Sequence, residues 1–302
     1  MDRATSSAHG RPRSAALDML GCTLLWGAFF VVGKHAVHEA APLVVATLRF
    51  AMASVVLVGL LAWREPRWLR PARGDLGLAL ALGATGVALY NAFAFFGFAL
   101  APASDGAMIS PSLNPAVTVI GAAILFHEPL TRARVGGLVL ALTGIALVFG
   151  GPVLASGGAG GRLTGDGLFV LSALAWSAYT LVGRHAVGRL SPLTSTTYAA
   201  VAGLLLLLPF SAPALARTSW GQLSWAFWAD ITFLALGSTV AAFWLWYRAL
   251  AKVGAARTAS YLPLVPVFGV GLGVALLGDR PTPLQLAGMA VAVVGVWAAS
   301  RR

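Results

Sequence analysis

Residues 24–37, LeuLeuTrpGlyAlaPhePheValValGlyLysHisAlaVal, return at 174–187 as LeuAlaTrpSerAlaTyrThrLeuValGlyArgHisAlaVal. The offset is 150 from Trp26 to Trp176 and from Pro42 to Pro192. Further along it is 151, pairing Pro115 with Pro266, Glu128 with Asp279, Gly137 with Gly288 and Gly144 with Gly295. Two long copies of one unit therefore fill the chain. Each is much longer than a solenoid repeat and mostly apolar, which points to the internal duplication found in transporters.

Hydrophobic residues make up 58% of the chain and charged residues 10%, where a soluble domain carries about 25% charged residues. That leaves too little polar surface to cover a water-soluble body. The formal charge of +11 does not indicate a nucleic-acid partner, because the basic residues sit in short loops between apolar runs, the pattern that orients a membrane protein. Cys22 is the only cysteine, so no intramolecular disulfide forms, and helix packing is the expected role of its thiol. The basic start followed by an apolar run superficially resembles a secretory signal. The run lacks a small-residue cleavage site and recurs at 174–187, so it reads as a retained first helix.

The sequence predicts an all-α membrane protein with ten transmembrane helices arranged as two inverted five-helix repeats. Apolar stretches long enough for a hydrocarbon core of about 30 Å fall at 15–34, 42–63, 75–98, 104–126, 134–153, 166–184, 192–211, 226–248, 258–278 and 283–299. The division is a basic cytoplasmic tail (1–14), a first repeat (15–153), a Gly-rich linker (154–165) read as a plain joint, and a second repeat (166–299). With the N-terminus cytoplasmic, sixteen basic residues lie inside, and Lys34, Arg162, Arg217 and Arg280 lie outside. Both termini are then cytoplasmic, in the cell inner membrane. Five spans per copy is an odd number, so the second copy enters the membrane upside down. Mirrored halves of this kind suit alternating access.

These features carry a resemblance. Each half resembles one EamA unit of the drug/metabolite transporter superfamily: Trp26 early in the first span, LeuArgPheAla at 48–51, AlaLeu at 99–100, AsnProAlaValThr at 114–118 and GluProLeu at 128–130, with Gly137 and Gly144 behind. The second half keeps AlaLeu at 249–250, ValProValPhe at 265–268, Gly288 and Gly295. It departs with Asp279 where the family has Glu, and with Ala199 opposite Arg49. The resemblance implies a secondary transporter with a central cavity lined by spans 1, 3, 4, 6, 8 and 9.

The candidate substrate-binding residues are Trp26, Phe30, Arg49, Tyr90, Asn91, Ser110, Asn114, Trp176, Tyr179, Trp244 and Tyr261. Arg49 is the only basic residue clearly inside a span, where a charge costs at least about 2.5–3.5 kcal/mol. It reads either as counter-ion to a carboxylate substrate or as a structural arginine snorkelling or bonding backbone carbonyls. Ser110, Asn114 and Thr118 form an i, i+4, i+8 stripe, broken by Pro111 and Pro115, which free backbone carbonyls. Their repeat partners are Tyr261, Val265 and Gly269. Trp26 and Trp176 sit mid-span and read as a substrate-facing wall, whereas Trp246, Trp220, Trp225 and Trp228 read as an interfacial belt. Asp105 reads as an N-cap, with proton carriage as its alternative. Glu128 and Asp279 read as pairing or capping groups. The glycines of the fifth and tenth spans read as scaffold packing or as a homodimer face.

Nothing calls for a cofactor or metal, and no P-loop or catalytic set is visible. The expected function is secondary active export of small organic metabolites, amino-acid-like or amphipathic, with proton coupling left open. The small-molecule substrate and the lipid bilayer are the expected partners. Two rivals stand beside it: an exchanger of phosphorylated or nucleotide-linked metabolites, and an intramembrane enzyme.

Overall fold

The computed structural model describes residues 6–69, 72–156 and 160–300. The tail residues 1–5, Arg70 and Pro71, the linker positions 157–159 and the terminal Arg301 and Arg302 lie outside the described residues. No strand occurs among the described residues. The helices are α1 (Ser6–Ala36), α2 (Pro42–Arg64), α3 (Arg73–Leu100), α4 (Ala103–Phe126), α5 (Arg132–Ser156), α6 (Gly160–Gly183), α7 (Pro192–Arg217), α8 (Trp225–Val253), α9 (Arg257–Leu277) and α10 (Pro283–Ser300). Among the described residues, nine helices are long and apolar enough to cross a membrane, and α10 adds a shorter apolar tenth. Their outer surfaces expose Val55, Ile124, Val139, Leu205 and Phe210, as lipid-facing helices do.

Local chemistry sets the helix ends. Pro42 and Pro192 occupy the first turns of α2 and α7, where a missing N–H costs nothing. Ser191 and Ser224 cap α7 and α8 by accepting the N–H groups of Thr194 at 3.0 Å and Phe227 at 3.1 Å. The α4 and α9 spans end on left-handed residues at equivalent positions, His127 (φ 54°) and Gly278 (φ 69°).

Packing shows the two-fold relation directly. Helix α5 lies antiparallel on its own counterpart α10: a Cβ on Gly137 would meet the backbone of Gly295 and Ala299, and one on Gly144 that of Gly288 and Ala292. The converse contacts of Gly288 and Gly295 fall on Gly144, Ala141 and Gly137. The α2–α7 pair is also antiparallel, with Thr197 reaching Leu57 O, and Ser191, a turn and a half earlier, reaching Glu65. So is α4–α9, where Gly269 meets Ala107 and Gly273 meets Ser104. Equivalent helices that pack antiparallel are related by an axis perpendicular to them. The repeats are therefore inverted. The four glycines are consumed within one chain, so they form scaffold and not a free dimer face.

The predicted linker is largely helical. Helix α5 runs through Gly150 and Gly151 to Ser156, and α6 starts at Gly160. Gly165 is a close-approach point, since a Cβ there would lie 2.6 Å from that of Ala101. Arg162, expected in this joint, sits in the first turn of α6 and pairs with Asp105.

Candidate functional site

Helices α1–α4 and α6–α9 surround a central cavity of about 620 Å³. Repeat-equivalent residues form facing walls: Trp26 with Trp176, Phe29 with Tyr179, Arg49 with Ala199, Phe50 with Ala200, and Asn114 with Val265 all line it. Helices α2 and α7 thus join the six spans that the resemblance implied.

An aromatic girdle encircles the space. Trp246 lies 5.5 Å from Trp26, Trp26 5.6 Å from Phe243, Phe243 6.3 Å from Trp176, Trp176 4.9 Å from Tyr90, and Tyr90 6.2 Å from Phe29. Gly86 makes the room for Tyr179, because a Cβ there would come 2.3 Å from its ring.

Arg49 is the only charged residue among the described lining residues. It is 6% exposed. Nη1 donates to Asn91 Oδ1 at 2.8 Å, Nη2 to Thr239 Oγ1 at 2.9 Å and Ser238 Oγ at 3.3 Å, and Nε to Leu234 O at 3.1 Å. Its guanidinium stacks 4.6 Å from the centre of the Phe29 ring and 5.0 Å from that of Phe50. No carboxylate pairs with it among the described residues. The neutral partners fix its position and leave its charge uncompensated. The repeat positions of these partners are Ala88, Leu89 and Ala241, and that of Arg49 is Ala199, so the polar cluster exists on one side only.

That cluster rests on a feature the sequence reading missed. Helices α3 and α8 each widen into a π-helical stretch at equivalent positions, Gly83–Leu89 and Phe233–Ala241. Such bulges concentrate at functional sites. In α8 the bulge brings Leu234 O, Ser238 and Thr239 together around Arg49.

Asn114 faces the cavity between Pro111 and Pro115. Its backbone carbonyl accepts from Ser177 at 3.0 Å and Thr118 at 2.7 Å, while its side-chain Oδ1 is buried with no hydrogen-bond partner. A buried polar atom without a partner calls for an explanation, and a ligand donor in the adjoining cavity would supply one.

Of the predicted site residues, Trp26, Phe30, Arg49, Tyr90, Asn91, Asn114, Trp176 and Tyr179 line the cavity. The other three are placed elsewhere. Ser110 is buried between helices, its Oγ 2.9 Å from that of Ser172; an i, i+4, i+8 stripe drifts about 40° per step on a 3.6-residue helix, so its end turns toward α6. Trp244 is exposed, with the Arg248 guanidinium 4.4 Å over its ring. The cavity side of α8 is Phe243, Trp246, Tyr247 and Leu250, at helical spacing, so Trp246 belongs to the wall and not to the interfacial belt. Tyr261 packs beside Ala15, Met19 and Ala249.

The cavity opens toward the face where α1 begins and α10 ends. Ala186, Val187 and Ser195 line it, whereas their equivalents near the far face, Ala36, Val37 and Val45, are packed in the core. Phe29, Phe30, Phe95, Phe98 and Phe169 plug that far end, with Phe169 held between Gly97 and Gly106. Polar clasps lie beyond them. Lys34 Nζ donates to Phe98 O at 2.6 Å, and His35 meets Asp230 at 2.6 Å. Glu39 accepts from the Ser224 hydroxyl at 2.7 Å and its N–H at 2.8 Å, which holds the Glu39 carboxyl below the usual carboxylate range. Asp105 is not an N-cap: it sits within the first turn of α4 and is gripped by Arg162.

Comparison with known proteins agrees with this geometry. A solved crystal structure superposes with a TM-score of 0.66 at 21% identity, covering 95% of this chain and 96% of its own, which shows a shared fold. An "Uncharacterized transporter" of Archaeoglobus fulgidus is 30% identical, covering 92% of this chain and 95% of its own length. A "Probable terminal-alkyne amino-acid exporter" of Streptantibioticus cattleyicolor is 30% identical over 84% of this chain and 82% of its own. A "Probable amino-acid metabolite efflux pump" of Salmonella typhimurium is 25% identical over 91% and 90%. The model of the EamA-like transporter family matches residues 13–150 and 163–301. The chain is a multi-pass membrane protein and belongs to the EamA-like transporter family.

Proposed function

We propose that the protein exports small amphipathic, amino-acid-like metabolites by alternating access, and that the open face is cytoplasmic. The observation that carries this reading is a lone, uncompensated guanidinium set inside an aromatic girdle. A carboxylate supplies the missing charge, and an apolar side chain fits the rings. The names of the Streptantibioticus and Salmonella relatives support export of amino-acid-like compounds. The basic residues gathered toward the open face support its cytoplasmic placement. One cationic lining residue is too few for phosphorylated substrates, so the exchanger reading is not favoured.

The test is exchange of labelled compounds across liposomes holding the purified protein. Phenylalanine and leucine are expected to exchange, phenethylamine (phenylalanine without its carboxylate) much more slowly, and sugar phosphates not at all. Equal rates for phenylalanine and phenethylamine, or a preference for sugar phosphates, overturn the proposal.

A further inference from the structure

Between the aromatic plug and the far face lies a second charged cluster that takes no part in lining the cavity. It gathers Lys34 from α1, Asp105 from α4, Arg162 and Asp166 from α6, Asp279 from the turn after α9, and the neutral Gln285 from α10. Arg162 grips Asp105 with two bonds, Nε to Oδ2 at 2.7 Å and Nη2 to Oδ1 at 2.9 Å, and Gln285 Nε2 donates to Asp105 Oδ1 at 2.8 Å. Asp279 Oδ2 accepts the N–H of Ser104 at 2.8 Å. Lys34 stands near both Asp105 and Asp279.

Asp166 is the member left over. It is 1% exposed, and its Oδ1 has no hydrogen-bond partner. It lies one turn past Arg162, which grips Asp105, and three residues before Phe169, which packs on Gly106, so it stands on the α6 face turned to Asp105. Ionised carboxylates only accept hydrogen bonds, so two that face each other at a buried position are stable when one carries the proton between them. The charge count agrees. Three carboxylates, of which Asp105 and Asp166 are buried and Asp279 partly exposed, face the partly exposed Lys34 and Arg162, and one added proton makes the set neutral.

We propose that the Asp105–Asp166 pair is a proton-binding site, occupied while the far face is closed. Closing takes one proton from far-face water onto the pair; opening hydrates the site and returns the proton to that water, leaving two carboxylates. Acid on the far side therefore favours the closed form and alkali favours opening. This linkage rests on the alternating-access reading above, but the protonated pair itself does not.

Infrared spectroscopy of the full-length protein in liposomes tests the site without any substrate. At neutral pH the wild type should show a protonated-carboxyl band that disappears in Asp166→Asn, an isosteric change that can donate to Asp105. Asp166→Glu should keep the band, and serves if the Asn variant fails to fold. Arg162→Gln removes a cation, so it should add a second protonated carboxyl. A wild type with no such band, or a band unchanged in Asp166→Asn, overturns the proposal. Phenylalanine exchange in the same liposomes separates the two readings: exchange without the band sinks the proton site alone, and the band without exchange sinks the exporter alone.

Discussion

Asp279 accepts the backbone N–H of Ser104 at 2.8 Å, whereas its counterpart in the first repeat, Glu128, pairs with Arg184 at 2.8 Å. Ser104 opens α4, and its own repeat equivalent is Ala255, ahead of α9. Equivalent acids thus do unequal work at the two faces. The bond at the far face ties a helix start to the opposite repeat, where the N-terminal end of the helix dipole favours the carboxylate. Asp279→Ala should release that tie at a cost of about 1–3 kcal/mol. Hydrogen exchange at the Ser104 amide is expected to quicken by about 5- to 150-fold on that estimate. An unchanged rate would show that the aromatic plug alone holds the face shut.

Arg49 gives the second prediction. Lysine keeps the charge but loses the planar fork that reaches Asn91, Ser238, Thr239 and Leu234 together. Arg49→Lys should raise KM for carboxylate substrates at least about tenfold, a loss of about 1.4 kcal/mol, while the protein still reaches the membrane. A variant absent from the membrane would assign Arg49 a purely structural role.

Asn114 separates binding from folding. Its Oδ1 has no partner, and replacing an unsatisfied buried acceptor with an apolar group is neutral or stabilising. Asn114→Val is therefore expected to keep or raise the melting temperature while weakening substrate binding about 5- to 150-fold. The mirrored change Val265→Asn should be mild or should alter which substrates are carried. Equal large losses at both sites would point to the proline-shaped backbone instead.

The α5–α10 contact carries a fourth prediction with an internal control. A Cβ at Gly144 would sit 2.3 Å from Ala292 N, whereas one at Gly136 meets nothing within 4 Å. Gly144→Ala should cost about 1–3 kcal/mol from overpacking, and Gly136→Ala should be neutral or stabilise by up to about 1 kcal/mol. Thermal unfolding in detergent reads both.

Much of this was legible because periodicity and duplication act over long stretches. Trp26 and Trp176 stand at the same repeat position, so finding one mid-span located the other, and both line the cavity. Arg49 was conspicuous as a charge inside an apolar run. Its partners were not, because Ser238 and Thr239 are brought to it by a π-helical stretch that no residue pattern announced. Trp244 and Trp246 stand two residues apart and so face opposite ways on α8, and the apolar run around them gives no sign of which side the cavity takes. Glycines of the expected plain joint at 154–165 form helix and close contact where described, since Gly165 has Ala101 against it. Asp105 looked like a cap because its partners, Arg162 and Gln285, lie 57 and 180 residues away.

Access to the cavity from each side tests the central claim most directly. Thr196 lines the cavity, and Cys22 is fully buried, so a Thr196→Cys, Cys22→Ala protein places one reporter thiol in the proposed pathway. A membrane-impermeant thiol reagent should label it from the cytoplasmic side in the resting state, in inverted vesicles but not in intact cells. During phenylalanine exchange, labelling from the outside should appear as well. Resting-state labelling from the outside alone, or no change in sidedness during exchange, would contradict a cavity that the two inverted repeats expose to each face in turn.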